Sequence, residues 1–251
     1  MWAWLHRLAS PKRFYRWSGT LARWAGWFSL LLGVSGLYYA LLASPPDYQQ
    51  GESVRIMYVH VPAAWLSMFI YMNIAAASLI SLVWRIKVAD MFAAASAPIG
   101  AWFTFLALVT GALWGKPMWG AWWIWDARLT AELILLFLYL GYIGLLSSID
   151  ERDTAARAAA VLALVGVVNI PIIHYSVEWW STLHQGATVT KFEKPSLPWS
   201  MLRPLLLMSL SATLFYIMVA MRQARAELLS RETDSSWVRE LVAGQLGSGS
   251  R

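Results

Sequence analysis

The 251-residue chain has no cysteine. That excludes disulfides, thiolate metal sites, iron–sulfur clusters and the C-x-x-C-H motif for covalent haem. Charge is scarce as well. Only 14% of residues are charged, against about 25% in an average soluble domain. No glycine-rich phosphate loop ending in Gly-Lys-Ser/Thr occurs, so the chain does not hydrolyse ATP by that means. No pair of histidines repeats along the middle of the apolar stretches, which argues against a b-type electron-transfer cytochrome. Acidic and basic residues deep in those stretches are few, so an ion or proton path has little support. The N-terminus lacks a short apolar core before a small-residue cleavage site. It reads as an amphipathic segment on the inner membrane face.

What remains is apolar and aromatic: 59% hydrophobic residues, with 17 tryptophans. A spanning helix needs about 20 mostly apolar residues, and six windows qualify: 24–43, 62–84, 91–113, 129–149, 158–174 and 205–221. The expected fold is all-α, one polytopic membrane domain over 1–251 with six transmembrane helices. The fifth window is short and contains Asn169 and Pro171; the proline should free a backbone carbonyl there. The net charge of +6 fits topology signals or anionic lipid better than nucleic acid. With both termini inside, fourteen Lys and Arg fall on inner segments and six on outer ones. This excess predicts an N-in/C-in orientation, with the bacterial inner membrane as the natural setting.

Outer loops then follow spans one, three and five. The second carries "WGKPMWGAWWIWDARLT", 114–130, with five tryptophans in twelve positions. His60, in "YVHVPAAW", ends the first outer loop, and Pro62 suits the first turn of a helix. A helix N-terminus disfavours imidazolium, leaving a neutral ring able to bind metal. His184 lies in the third outer loop. On a helical reading it shares a face with Trp180. Each histidine alone also fits an interfacial hydrogen-bonding role. Together, two imidazoles on separate segments of one face can ligate a single haem iron from both sides.

Trp114, Trp119, Trp122, Trp123 and Trp125 have two readings: an aromatic belt at head-group depth, or a platform for a planar apolar ligand. On a helical reading Trp119, Trp122 and Trp123 share a face. Asp126 either caps the fourth span or orients a histidine or an indole. Arg128 either pairs with Glu132 or, with Arg55, holds carboxylates of a ligand. Lys116 reads as an interfacial snorkel. His174, near the end of span five, either contacts the site or packs in the bundle. A transporter with a path through its own spans, moving haem or another substrate, is the alternative, but Asn73, Thr104, Thr110, Glu132 and Asn169 trace no continuous route. A purely structural subunit is the third reading.

"WGKPMWGAWWIWDARLT" closely resembles the tryptophan-rich WWD signature of haem-handling membrane proteins. "MYVHVPAAW" and "NIPIIHYSVEWWSTLHQG" resemble its flanking histidine segments. Together they resemble the haem exporter protein C family of bacterial cytochrome c maturation, from Asp47 through the Gly186 region. The resemblance implies that haem b is held non-covalently at the periplasmic face, with His60 and His184 as axial ligands and the tryptophan loop against it. It implies delivery to a membrane-anchored periplasmic haem chaperone. It also implies an export complex with an ABC-type ATPase subunit, a second six-span subunit and a small single-span subunit. The chain itself is then a haem-handling subunit, not an enzyme.

Overall fold

The structure is a computed structural model that describes residues 10–180, 182–184 and 196–248. The N-terminal segment with His6 and Arg7, the loop positions Lys191 and Lys194, and the Gly186 region lie outside the described residues. Eight α-helices are described: α1 Pro11–Tyr38, α2 Met57–Trp84, α3 Lys87–Trp119, α4 Ala127–Ser148, α5 Arg152–Gly166, α6 Asn169–Trp179, α7 Trp199–Arg231 and α8 Ser236–Ser248. A π-turn, Tyr39–Ala43, continues α1, and a 3-10 turn, Glu52–Ile56, leads into α2. No β-strand occurs among the described residues, and one isolated bridge joins Asp47 to Gly51. Six helical segments are long and apolar enough to cross a membrane, α5 and α6 together forming the fifth. The protein is an all-α, multi-pass membrane protein.

Local chemistry sets the helix ends. Pro11 opens α1 in the first turn, where its missing N–H costs nothing. Asp126 caps α4 by accepting from Leu129 N–H at 2.8 Å. Glu151 caps α5 through the N–H groups of Asp153 and Thr154. Gly120, at φ +77°, terminates α3. A side chain is strained in that left-handed conformation, which glycine adopts freely.

The fifth span differs from expectation. It runs from Arg152 to Trp179 and is broken at Val167–Val168, not short and continuous. The break puts Pro171 in the first turn of α6, where it removes no helical hydrogen bond. The Val167 carbonyl accepts from Ile170 N–H at 3.0 Å. Asn169 donates to the Ala131 carbonyl at 2.8 Å and ties the break to α4.

Lipid is as apolar as leucine, so helices in a membrane associate through close packing and internal hydrogen bonds. The α1–α7 contact uses both. Ser18, Ala22, Ala25, Ser29 and Gly36 line the buried face of α1. Ser29 and Ser211 each donate to the other's backbone carbonyl, at 2.9 and 2.8 Å. The main core joins α2 to α7 around Leu66, Tyr71, Ile74, Leu135, Tyr139 and Tyr216. Its tyrosine hydroxyls are satisfied internally: Tyr139 donates to the Ser67 carbonyl at 2.6 Å, and Tyr216 pairs with Ser96 at 3.1 Å.

Candidate functional site

At one end of the bundle, α2, α3, α4 and α6 surround a small cavity of about 40 Å³. Its lining includes His60 from α2, Gly111 from α3, Arg128 and Glu132 from α4, Ile173 from α6, and His184 from the segment after α6. The two histidines lie 124 positions apart in sequence (184 − 60) and reach the same space.

His60 sits in the first turns of α2. The 3-10 turn before it starts the helical path earlier than expected, so Pro62 lies inside the helix, not in its first turn. The ring is held on α3: Nδ1 lies 3.0 Å from the Ala107 carbonyl and 3.1 Å from Thr110 Oγ1. A carbonyl only accepts, so Nδ1 carries the proton and Nε2 keeps its lone pair. Gly111 makes the close approach possible. A Cβ there would stand 2.9 Å from His60 Cε1.

His184 is held differently. Helix α6 stops at Trp179, so His184 and Trp180 do not share a helical face; the segment around His184 is irregular. Thr182 Oγ1 accepts from His184 N–H at 2.9 Å and shapes the turn. His184 Nδ1 lies 3.0 Å from Asp126 Oδ2. The carboxylate fixes the proton on Nδ1, and again Nε2 is left with its lone pair. Burial, the largest influence, holds the His184 pKa below its ordinary value; the bond to Asp126 opposes this, and Arg128 adds to it. Burial alone would raise the Asp126 pKa, but donation from Leu129 N–H and from His184 outweighs it, and the net shift is downward. Asp126 therefore fills both roles the sequence offered, cap with one oxygen and histidine anchor with the other.

The tryptophan stretch is not a helix beyond Trp119. Gly120 ends α3 and residues 121–126 are irregular, so Trp119, Trp122 and Trp123 do not share a helical face. Trp114 and Trp119 each meet a histidine edge-on: Trp114 with His60 at 5.6 Å between ring centres, Trp119 with His184 at 4.9 Å. Trp114 Nε1 donates to Gln50 at 3.0 Å. Asp47 accepts from the N–H groups of Gln49 and Gln50 and so fixes the turn that presents Gln50. Trp123 packs edge-on against Trp125 at 5.4 Å, and its Nε1 is buried without a partner among the described residues. Trp122 and Trp125 are largely exposed, at 55% and 76%. Lys116 donates to the Gly120 carbonyl at 2.9 Å and lies over the Trp122 ring.

The arginines separate. Arg128 lines the cavity and has no hydrogen-bond or ion-pair partner among the described residues, while Glu132 accepts from Ser67 at 2.7 Å. Arg55 is not in the cavity lining. Its guanidinium is engaged by Glu52 and by the Ala40 carbonyl in the π-turn after α1. His174 is exposed and faces away from the cavity that its neighbour Ile173 lines. Sequence reasoning did not single out Ala107, Gly111 or Thr110 as supports of His60, nor Gln50 as the partner of Trp114. Nothing local marks them, because their role is created by the approach of α3 to α2.

Comparison with known proteins gives the family. The family model described as heme exporter protein C matches residues 4–239. A protein named heme exporter protein C from Haemophilus influenzae is 52% identical over 242 residues, covering 96% of this chain and 98% of its own. One of the same name from Escherichia coli K12 is 51% identical over 247 residues, with 96% and 98% covered. One from Paracoccus denitrificans is 38% identical over 233 residues, with 92% and 96% covered. Matches of this length cover both histidine segments and the tryptophan stretch between them, and the chain belongs to the heme exporter protein C family.

Proposed function

We propose that this protein holds haem b, non-covalently, as cargo between His60 and His184 and passes it on for cytochrome c maturation. The observation that carries the reading is the pair of imidazoles in one cavity. Each has Nδ1 engaged by an acceptor and Nε2 available. A metal-ligating histidine is held in this way, with its second nitrogen oriented by a carbonyl or carboxylate. Two such ligands saturate a haem iron. Arg128 lines the cavity without a hydrogen-bond partner among the described residues and suits a propionate. The Trp123 N–H, buried without a partner among the described residues, is a second donor on the same strap as Asp126. Trp114 and Trp119 wall the two rings.

The donor set fits haem, but the partly open cavity, with about 40 Å³ of space, is too small as it stands for a macrocycle. Loading therefore requires opening. The two ligands differ in how they can move: His60 is built into a long helix, whereas His184 sits on an irregular segment. His184 is the ligand that swings away to admit the porphyrin and lets go when it leaves. Release is directed to a membrane-anchored haem chaperone that docks on the exposed indoles of Trp122 and Trp125.

The lysine and arginine distribution supports a reading with both termini inside and the histidine cavity at the periplasmic face of the inner membrane. An ATPase subunit of the ABC type, a second six-span subunit and a small single-span subunit complete the complex, with ATP chemistry in another chain. The test is the absorption spectrum of purified His60→Ala and His184→Ala proteins. Each should lose the six-coordinate bis-histidine signature. Unchanged axial ligation in both variants refutes the assignment.

A further inference from the structure

A second cavity lies at the opposite end of the bundle, where α3 and α5 begin and α4 and α7 end. It measures about 370 Å³, within the range of small-ligand sites. Its apolar wall is made mainly of alanines, including Ala95 and Ala156, whose short side chains leave the space. Its polar wall holds Arg152, Gln223, Glu227 and Arg231.

The charges are separated. Arg231 is spent: it donates to Asp90 at 2.7 Å and to Glu227 at 2.6 Å. Two carboxylates on one guanidinium leave one net negative charge on that side. Glu227 bonds Arg231 through Oε1, and Oε2 has no partner among the described residues. Arg152, from α5, has no hydrogen-bond or ion-pair partner among the described residues and supplies a single positive charge. The lining charges, counted with Asp90, therefore sum to zero, with an anion-binding point and a cation-binding point across one small space and an apolar wall beside them.

We propose that this cavity seats the headgroup of a zwitterionic glycerophospholipid carrying a primary ammonium. Its phosphate sits on Arg152, its ammonium donates to Glu227 Oε2, and its glycerol end lies along the alanine wall. A phosphate with a primary ammonium satisfies both charges at once. An anionic headgroup leaves Glu227 unanswered and brings a second negative charge near it. A quaternary choline has no N–H to donate to the carboxylate. The cavity lies at the end of the spans, the depth at which headgroups are found.

The test is lipid retention by the purified full-length protein, read by native mass spectrometry after incubation with phosphatidylethanolamine, phosphatidylcholine or phosphatidylglycerol. The protein should retain phosphatidylethanolamine roughly tenfold better than the other two. Arg152→Gln removes the phosphate partner, and Ala156→Leu fills the space without touching a charge. Each should reduce retention about tenfold. Equal retention of all three lipids, or full retention by both variants, overturns the proposal. Displacement of the lipid by free phosphoethanolamine at equal concentration also overturns it, because the ligand is then a soluble phosphate. The haem spectrum should be unchanged in both variants, which keeps this proposal separate from the histidine assignment.

Discussion

Asp126→Asn separates the capping role of this side chain from its proposed haem role. Aspartate offers two oxygens, and each has its own donor: Leu129 N–H at 2.8 Å on Oδ1 and His184 Nδ1 at 3.0 Å on Oδ2. Asparagine keeps one oxygen and replaces the other with an NH₂. If the oxygen keeps Leu129, the NH₂ faces His184 and only an unprotonated Nδ1 can accept from it. The proton then sits on Nε2, the atom proposed to bind iron. If the amide turns the other way, Leu129 N–H meets a donor and the cap is lost. A charge-assisted hydrogen bond contributes about 1.5–3 kcal/mol, and about 1.4 kcal/mol corresponds to a factor of ten. Loss of a group that orients a metal ligand typically costs about 10–100-fold in affinity. Haem titration of the purified variant should therefore show binding about 10–100-fold weaker. The cap survives in the first orientation, so thermal stability should fall by less than the roughly 1 kcal/mol expected when a cap is removed outright. Parental haem affinity with the same bis-histidine spectrum would refute the proposed control of the His184 tautomer.

Gly111→Ala should divide stability from binding. Alanine favours a helix by about 1 kcal/mol over glycine, but its Cβ would stand 2.9 Å from His60 Cε1 and push the ring off Ala107. The melting temperature should hold or rise while haem affinity falls about tenfold in a titration. Haem retention should also depend on pH through His184. Its pKa in the folded protein is depressed below the ordinary value near 6.5, so the neutral ring is the favoured form. Its contribution is fully present above about 6.5 and is lost as pH falls through the depressed value. Retention after gel filtration should be flat from pH 8 to about 6.5 and fall on the acid side; a loss confined to alkaline pH contradicts this. Arg128→Ala and Arg128→Lys should both weaken haem binding about tenfold, because lysine lacks the two-pronged geometry that suits a carboxylate; full affinity in the lysine variant argues against a propionate contact.

Much of the fold could be read from hydropathy, because six long apolar stretches in a chain with so little charge leave few other solutions. The ends of the helices were less legible. Apolar windows miss the polar and aromatic residues that continue a helix beyond the bilayer, so 91–113 became Lys87–Trp119. The break at Val167–Val168 was hidden because neither valine is a recognised breaker; the visible signal, Pro171, lay three residues downstream and marks a helix start. At the site, His60, His184, Asp126 and Arg128 stood out by residue type. Their supports did not, since Ala107 acts through its backbone and Gly111 through the absence of a side chain. Two helical readings failed for one reason. Spacings of three and four mean a shared face only while the helix lasts, and Gly120 and Trp180 end it first.

The abrupt stop at Gly120 frees the six residues that follow from any fixed angular repeat. Within so short a strap, Asp126 turns inward to the His184 ring while Trp122 and Trp125 are exposed. The inward carboxylate and the outward indoles thus sit side by side on one ribbon. A lineage whose delivery partner changes shape can rewrite the outward indoles and leave the inward carboxylate, and the chemistry it governs, untouched.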